Sequence, residues 1–333
     1  MRTNRGVWRP NMVDEVWPGI FRMEVPLPGS PLKAMNSYLI LGADRSLLID
    51  TGMRRRECFE AIEAGLSGLG VPMERVDFFI THFHPDHIGL VPQLVREGAQ
   101  VYLSRLDAAV IRDPDEWTRL AGEALLNGLA EDDVRDIMAE FPGRERPSVS
   151  ALGFAFLRDG DHLSCGPYVL RCIETPGHTP GHLCLYEERA RILFSGDHVL
   201  GGITPFVSGW LYEGDALGEY LDSLDKVNDY KTDWVFPGHR APFRALGRRI
   251  SQIKRHHEAR TDEVLAILAN GRQTALEVAS CMTWGIRSSS WETTPSLQKW
   301  FAGGEALAHL EYLRGRGRVG REVREGRALF RLA

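Results

Sequence analysis

The 333-residue chain has no stretch approaching the ~20 consecutive apolar residues that cross a bilayer, so no membrane-spanning helix is expected. Cysteine is sparse: Cys58, Cys165, Cys172, Cys184 and Cys281, an odd number with no CxxC pair. That pattern argues against a disulfide framework, and reduced thiols are the simplest expectation. The opening MRTNRGVWRPNMVDEVW has no apolar run of the secretory kind, and a cytoplasmic protein is expected. There is no internal repeat and no low-complexity tract. No charge of one sign dominates, since the formal net charge is -5, and the chain as a whole is not a polycation. Histidine is also scarce, at 11 residues, so its placement carries information.

What is present describes a globular protein. Hydrophobic residues make up 43% and charged residues 26%, and the length allows a large domain with a small one beside it. Charge is uneven along the chain. From Leu246 to Ala333 there are 15 Lys+Arg against 9 Asp+Glu, so the tail is basic and the remainder acidic. Such a tail could meet an acidic partner or form a solvated surface.

After a polar, proline-containing arm (1–18), short β-prone runs follow at Ile20–Val25, Ser37–Leu41 and Ser46–Asp50, with Ala43-Asp44-Arg45 as a hairpin turn. A helical pattern spans Arg56–Gly68, and the apolar strand Val76–Thr81 leads into HFHPDH. A helix start near Ile88 and a strand Gln100–Leu103 follow. From about 105 to 147 apolar residues recur at helical spacing, as in Leu120, Leu125, Leu129, Val134 and Ile137. This insertion is either a packing layer or a cap over a site. Strands resume at Tyr168–Glu174, Leu183–Glu187 and Ile192–Ser195; then come a helix Ala216–Val227 and a strand Trp234–Phe236. Alternating β and α elements with hairpins suggest two sheets with helices outside, within residues 19–248. The tail (249–333) reads as helices Ile250–Leu268, Thr274–Met282 and Leu297–Arg314 and a hairpin over Gly317–Leu332, the order of a winged helix-turn-helix.

HFHPDH offers four metal-ligand side chains in six residues: His82, His84, Asp86 and His87. His82 and His84 are two apart and can face one way, while the turn at Pro85 brings Asp86 and His87 to a second position. Three more candidates follow apolar runs and sit beside glycines: His178 in TPGHTPGH, Asp197 in FSGDH and His239 in VFPGH. Neutral imidazole with carboxylate is a donor set for zinc, and iron and manganese accept it too. Asp50 in LLIDTG could orient a ligand histidine, and His182 could stand behind the site. Trp210 and Tyr212 could line a substrate pocket or simply pack. His198 is expected to point away. His256 and His257, on a charged helix, are expected at the surface, and His162 and His309 have no supporting context.

The four blocks HFHPDH, TPGHTPGH, SGD and PGH, in this order, resemble the metallo-β-lactamase superfamily over about Ile20 to Pro242. The resemblance implies an α+β fold, the αββα sandwich, with two metal ions at one edge of the sheets. It implies that His82, His84 and His178 hold the first metal, that Asp86, His87 and His239 hold the second, and that Asp197 bridges them. IKRHHEAR and the small tail also resemble the lactamase-beta-like, glyoxalase II-like branch with a C-terminal winged helix, whose members include an endoribonuclease. Departures narrow the choice. Leu90 replaces a glycine frequent after the motif. Asp197 stands where β-lactamases with a cysteine ligand have Cys. Leu200 stands where acyl-homoserine lactonases carry tyrosine. His84 stands where flavodiiron proteins have Glu.

The expected activity is a dinuclear, metal-dependent hydrolysis, in which a metal-bridging hydroxide oriented by Asp86 attacks a small ester or thioester. An endoribonuclease or phosphodiesterase is the alternative, with tail aromatics Trp284, Trp291 and Trp300 as possible base platforms. A ligand-sensing DNA-binding regulator is a third. Leu297–Arg314 offers few outward cations beyond Lys299 and Arg314, which favours a structural or dimer-forming tail.

Overall fold

The computed structural model describes residues 13–140, 149–210, 214–285 and 290–333. Its first sheet takes seven strands in sequence order: β1 (Val13–Trp17), β2 (Ile20–Pro26), β3 (Ala34–Ile40), β4 (Ser46–Ile49), β5 (Val76–Phe79), β6 (Val101–Ser104) and β7 (Ala155–Leu157). Pairing is antiparallel from β1 to β4 and parallel from β4 to β7. The second sheet runs β12-β11-β10-β9-β8, from β8 (His162–Cys165), β9 (Tyr168–Glu174), β10 (Leu183–Glu187), β11 (Ile192–Gly196) and β12 (Trp234–Pro237). Only β11 and β12 are parallel there.

Parallel neighbours need a crossover, and helices supply it. Between β4 and β5 runs α1 (Arg56–Gly68), burying Cys58, Ala61, Ile62, Gly65 and Leu66, one face at helical spacing. The short helices α2 (Pro85–Ile88) and α3 (Val91–Leu94) lie between β5 and β6. The helix α7 (Ala216–Asn228), capped by the Asp215 side chain, spans β11 to β12.

Strand alternation sorts the apolar residues into layers. On β3, Met35 and Leu39 join the core under α1, while Tyr38 and Ile40 face the second sheet. On β11, Ile192 and Phe194 face the first sheet, and Leu193 packs with Leu217, Leu224 and Ile250 on the far side. Between the sheets, the Tyr38 and Phe236 rings stack with centroids 5.4 Å apart. The result is the αββα sandwich.

The insertion forms α4 (Arg105–Arg112), α5 (Glu116–Leu126) and α6 (Glu131–Glu140). The tail forms α8 (Leu246–Leu268), α9 (Ala275–Cys281), α10 (Ser296–Gly315) and the hairpin β13 (Val319–Arg324) and β14 (Arg327–Leu332). A capping box of Thr274 and Glu277 starts α9. Insertion and tail share one core: Leu120, Ala124, Val134 and Ile137 meet Val278, Trp300, Leu310 and Phe330. Asp133 on α6 accepts from Ser296 Oγ at 2.6 Å and pairs with Lys299 Nζ at 3.1 Å on α10.

Several expectations shift. The last residues of the expected arm, Val13–Trp17, pair with β2 as an edge strand, because the ends of that arm carry enough β-prone side chains to pack. β7 and β8 were not anticipated; they are three and four residues long and too short to show a period. His257 is buried rather than at the surface, because it falls on the stripe Ile250, Ile253, His257, Arg260, Val264 that α8 turns inward. His309 is fully buried against it, with His257 Nδ1 3.2 Å from His309 Nε2. Residues 1–12 and 141–148, parts of the expected arm and insertion, lie outside the described residues.

Candidate metal centre

Every candidate ligand follows the end of a strand. β5 delivers HFHPDH, the β9–β10 loop delivers His178, β11 delivers Asp197, and β12 delivers His239. The sheets are tightly joined where these ends meet. Gly196, at φ 47°, has no room for a side chain: a Cβ there would lie 2.7 Å from His182 Nε2 and 2.8 Å from Thr81. A Cβ on Gly238 would lie 2.6 Å from Asp197 Oδ1 and 2.9 Å from His87 Cε1.

The structure brings all seven side chains together. His82 Nε2 lies 3.0 Å from His84 Nδ1 and 3.3 Å from His178 Nε2. Asp86 Oδ2 lies 3.3 Å from His239 Nε2 and 3.9 Å from His87 Nε2. Asp197 sits between the two groups: its carboxylate is 3.8 Å from His178 Nε2, 3.7 Å from His87 Nε2 and 3.4 Å from His239 Nε2. Among the described residues, three sets have donor atoms within 4.8 Å of one another and could each hold a cation: His82–His84–His178, His82–His87–Asp197 and Asp86–His87–His239.

The outer ring nitrogens are already committed, which fixes the tautomers. His87 Nδ1–H donates to Asp50 Oδ2 at 2.8 Å, His178 Nδ1–H to the Phe206 carbonyl at 2.6 Å, and His239 Nδ1–H to the Ala34 carbonyl at 3.0 Å. Asp50 also accepts from Thr81 Oγ1 at 2.8 Å, and that hydroxyl accepts from His82 Nδ1–H at 2.9 Å. In each of these four rings Nδ1 is held from outside and Nε2 turns inward. His182 Nε2 accepts from the Asp197 backbone N–H at 3.2 Å while its Nδ1–H donates to Thr175 Oγ1 at 2.8 Å. Asp50 and His182 thus stand directly behind the candidate ligands.

Charge in this cluster is unbalanced without a cation. Burial and the neighbouring histidines push His82 well below the usual imidazole range and push His84 down to about 3. Burial likewise lowers His178. Burial opposes charge on His87 and His239 too, but Asp50, Asp197 and Asp86 overcome it; His87 rises well above its usual value and His239 rises to about 10. Burial would raise Asp86 and Asp197, yet the adjoining imidazoles hold both below the carboxylate range. His87 Nε2, His239 Nε2 and Asp197 Oδ1 are buried and make charge contacts of 3.3–3.9 Å with one another and with Asp86, but no well-directed hydrogen bond. Three such inward-facing atoms at the meeting point of three donor sets are what a site for divalent ions requires.

Asp107, which the sequence reading overlooked, joins two of the ligand loops. Fully buried in the first turn of α4, it accepts from Phe83 N–H at 2.9 Å and from Thr179 Oγ1 at 2.9 Å and Gly181 N–H at 2.7 Å. The loop carrying His82 and His84 is thereby fastened to the loop carrying His178. The only local signal was Ser104, whose hydroxyl caps α4 by accepting from Asp107 N–H. The remaining candidates scatter. His198 is buried against the Tyr220 ring and belongs to none of the three donor sets. His162 is exposed on β8. Trp210 donates from Nε1 to the Trp300 carbonyl at 3.0 Å and packs in the insertion–tail core, yet it also lines a pocket beside the centre. Tyr212 lies outside the described residues. Leu90 is accommodated, fully buried in the core under α1.

That pocket, about 80 Å³, opens beside His84 and His178. Its other walls come from α5, from the loop after β11 and from α10.

A sandwich with a histidine–aspartate cluster at one sheet edge defines a class of metal-binding proteins, and the comparisons agree. Residues 32–239 match the description Metallo-beta-lactamase superfamily. The chain is 27% identical over 261 residues to the Lactamase-like protein adaB of Aspergillus niger, covering 78% of this chain and 67% of that protein. It is 25% identical over 242 residues to the Atrochrysone carboxyl ACP thioesterase AacuM of Aspergillus aculeatus, covering 73% of this chain and 62% of that protein. The crystal structure of a metallo-beta-lactamase family protein from Thermus thermophilus superposes with a TM-score of 0.81 at 31% identity, over 95% of this chain and 99% of that one. The chain belongs to the metallo-β-lactamase superfamily.

Proposed function

We propose that the protein is a dinuclear metal-dependent hydrolase of a small ester or thioester. His82, His84 and His178 would hold one ion, Asp86, His87 and His239 the other, and Asp197 both. The observation that carries this reading is the set of three atoms, His87 Nε2, His239 Nε2 and Asp197 Oδ1, buried without a well-directed hydrogen bond where the donor groups converge. Bound divalent ions supply Lewis acidity and bring the pKa of water from about 15.7 to near 7. The chain's own residues do the rest. Asp50, the Phe206 carbonyl and the Ala34 carbonyl hold three ligand imidazoles with Nε2 aimed inward. Asp86, partly exposed at the mouth, orients the attacking water as the catalytic carboxylate. The mixed His/Asp set suits zinc first, with iron and manganese as alternatives.

The small, largely apolar pocket supports a small-molecule substrate, and the similarity to the Aspergillus aculeatus thioesterase supports a thioester. Trp300, one tail aromatic offered as a base platform, is buried in the tail's core, which weighs against an RNA substrate. We read the tail as a winged helix in a structural role, in a cytoplasmic protein that could pair with a second copy. The test is an assay with a CoA or glutathione thioester and with single-stranded RNA, each with and without chelator. Chelator-sensitive thioester turnover is expected. RNA cleavage of comparable efficiency would replace this reading.

A further inference from the structure

The pocket beside His84 and His178 is assembled from distant parts of the chain. Phe83 comes from the ligand loop, Trp117 and Leu120 from α5, Phe206 from the loop after β11, and Trp300 and Phe301 from the first turns of α10. Tail and insertion therefore meet over the centre, and neither serves only to pack against the other. The volume, about 80 Å³, is roughly half that of the ~150 Å³ apolar cavity that accepts a benzene ring. An acidic side chain also lines it: Glu116, with both carboxylate oxygens buried. A carboxylate brought into this largely apolar space would lose its hydration.

Resting on the hydrolase reading above, we propose that this pocket is the acyl subsite, and that it takes a short, neutral, apolar acyl group of about three or four carbons. The reacting carbonyl lies toward His84 and His178, and the acyl chain points toward α5 and α10. The wall made by Phe301 sets the length limit. Its ring meets Phe206 edge-on, with centroids 5.1 Å apart, and the residue is 41% exposed, so it closes the pocket without being part of the core. The tail thus selects substrate.

The experiment compares N-acetylcysteamine thioesters of acetate, butyrate, succinate and decanoate on the metal-loaded full chain. Calorimetric titration with butyramide and decanamide reads the same subsite without turnover. Butyryl should exceed decanoyl and succinyl by at least about tenfold in kcat/KM, the scale set by a methylene that does not fit. Phe301→Ala, an exposed position that the fold can spare, should raise decanoyl turnover relative to butyryl by about tenfold at unchanged metal content. Trp117→Ala should do the same from the opposite wall. Equal turnover of all chain lengths, or a profile unmoved by both variants, overturns the subsite and leaves the hydrolase reading standing. Selective butyramide binding with no thioester turnover overturns the hydrolase reading and leaves the pocket's preference standing.

Discussion

Two regions of this protein bury histidines, and they treat them in opposite ways. At the sheet edge, His87 and His239 face Asp50, Asp86 and Asp197, and His239 is pushed up to about 10 against the cost of its burial. In the tail, His257 and His309 face each other, with the Tyr220 ring, His256 and Arg260 nearby and Glu305 engaged by Arg260. There, burial and neighbouring positive charge push His257 down to about 2 and His309 down to about 4. Burial alone does not make a metal centre; carboxylates converging on inward-facing nitrogens do.

The largest effect that sharpens this comparison comes from removing the shared carboxylate. Asp197→Ala leaves His87, His178 and His239 without their common neighbour. Bound metal should fall below two equivalents by elemental analysis, and hydrolytic rate should fall by about 10²–10³-fold, the scale of losing a principal electrostatic group. His257→Gln, in the other buried pair, should leave metal content unchanged. If both variants lose metal alike, the distinction between the regions collapses.

Next come the residues behind the ligands. Asp107→Asn cannot accept all three of the hydrogen bonds that fasten the His84 and His178 loops, and Asp50→Asn disturbs His87 and Thr81. Each should weaken metal binding by about 10–100-fold in competition with a chelating dye. Asp107→Asn should spare the Asp86–His87–His239 set, leaving one tight equivalent.

The two regions should also answer pH with opposite sign. In the metal-free protein the folded-state value of His239 lies above its unfolded one. Its contribution is therefore complete below about 6.5 and is lost as pH rises through about 10. For His309 the folded value lies below, so its contribution is complete above about 6.5 and is lost as pH falls through about 4. Metal must displace the protons on His87 and His239, so affinity should rise with pH, with release of about two protons per chain at neutral pH. Calorimetry in buffers of different ionisation enthalpy counts them; no release would mean that the imidazoles are already neutral.

The sequence showed the metal side of this contrast far better than the tail side. Histidine is scarce, so HFHPDH stood out, and His178, Asp197 and His239 each follow an apolar strand. Clean periods also gave α1, β9 and β10 their observed bounds. Asp107 could not be seen, because it acts mainly on backbone N–H groups of loops far away in sequence. His257 was misplaced because its neighbours Lys254, Arg255 and Glu258 are charged, although the inward stripe of α8 runs through it. β7 and β8 carry too few residues to reveal a period.

The smallest effect tests whether insertion and tail act as one wall. Asp133 is the polar link between α6 and α10, held by Ser296 and Lys299 at half-buried positions. Asp133→Ala should cost about 1 kcal/mol, because a charge-assisted hydrogen bond is lost while Lys299 can still turn toward water. The melting temperature should drop by no more than roughly 3 °C in a chain of this size. Metal content should not change, since Asp133 touches none of the donor sets. Chain-length preference in thioester hydrolysis should broaden slightly, because α10 carries Trp300 and Phe301 and a looser α10 relaxes the pocket they close. A melting shift without broadening would mean that the shared apolar core alone holds the wall in place.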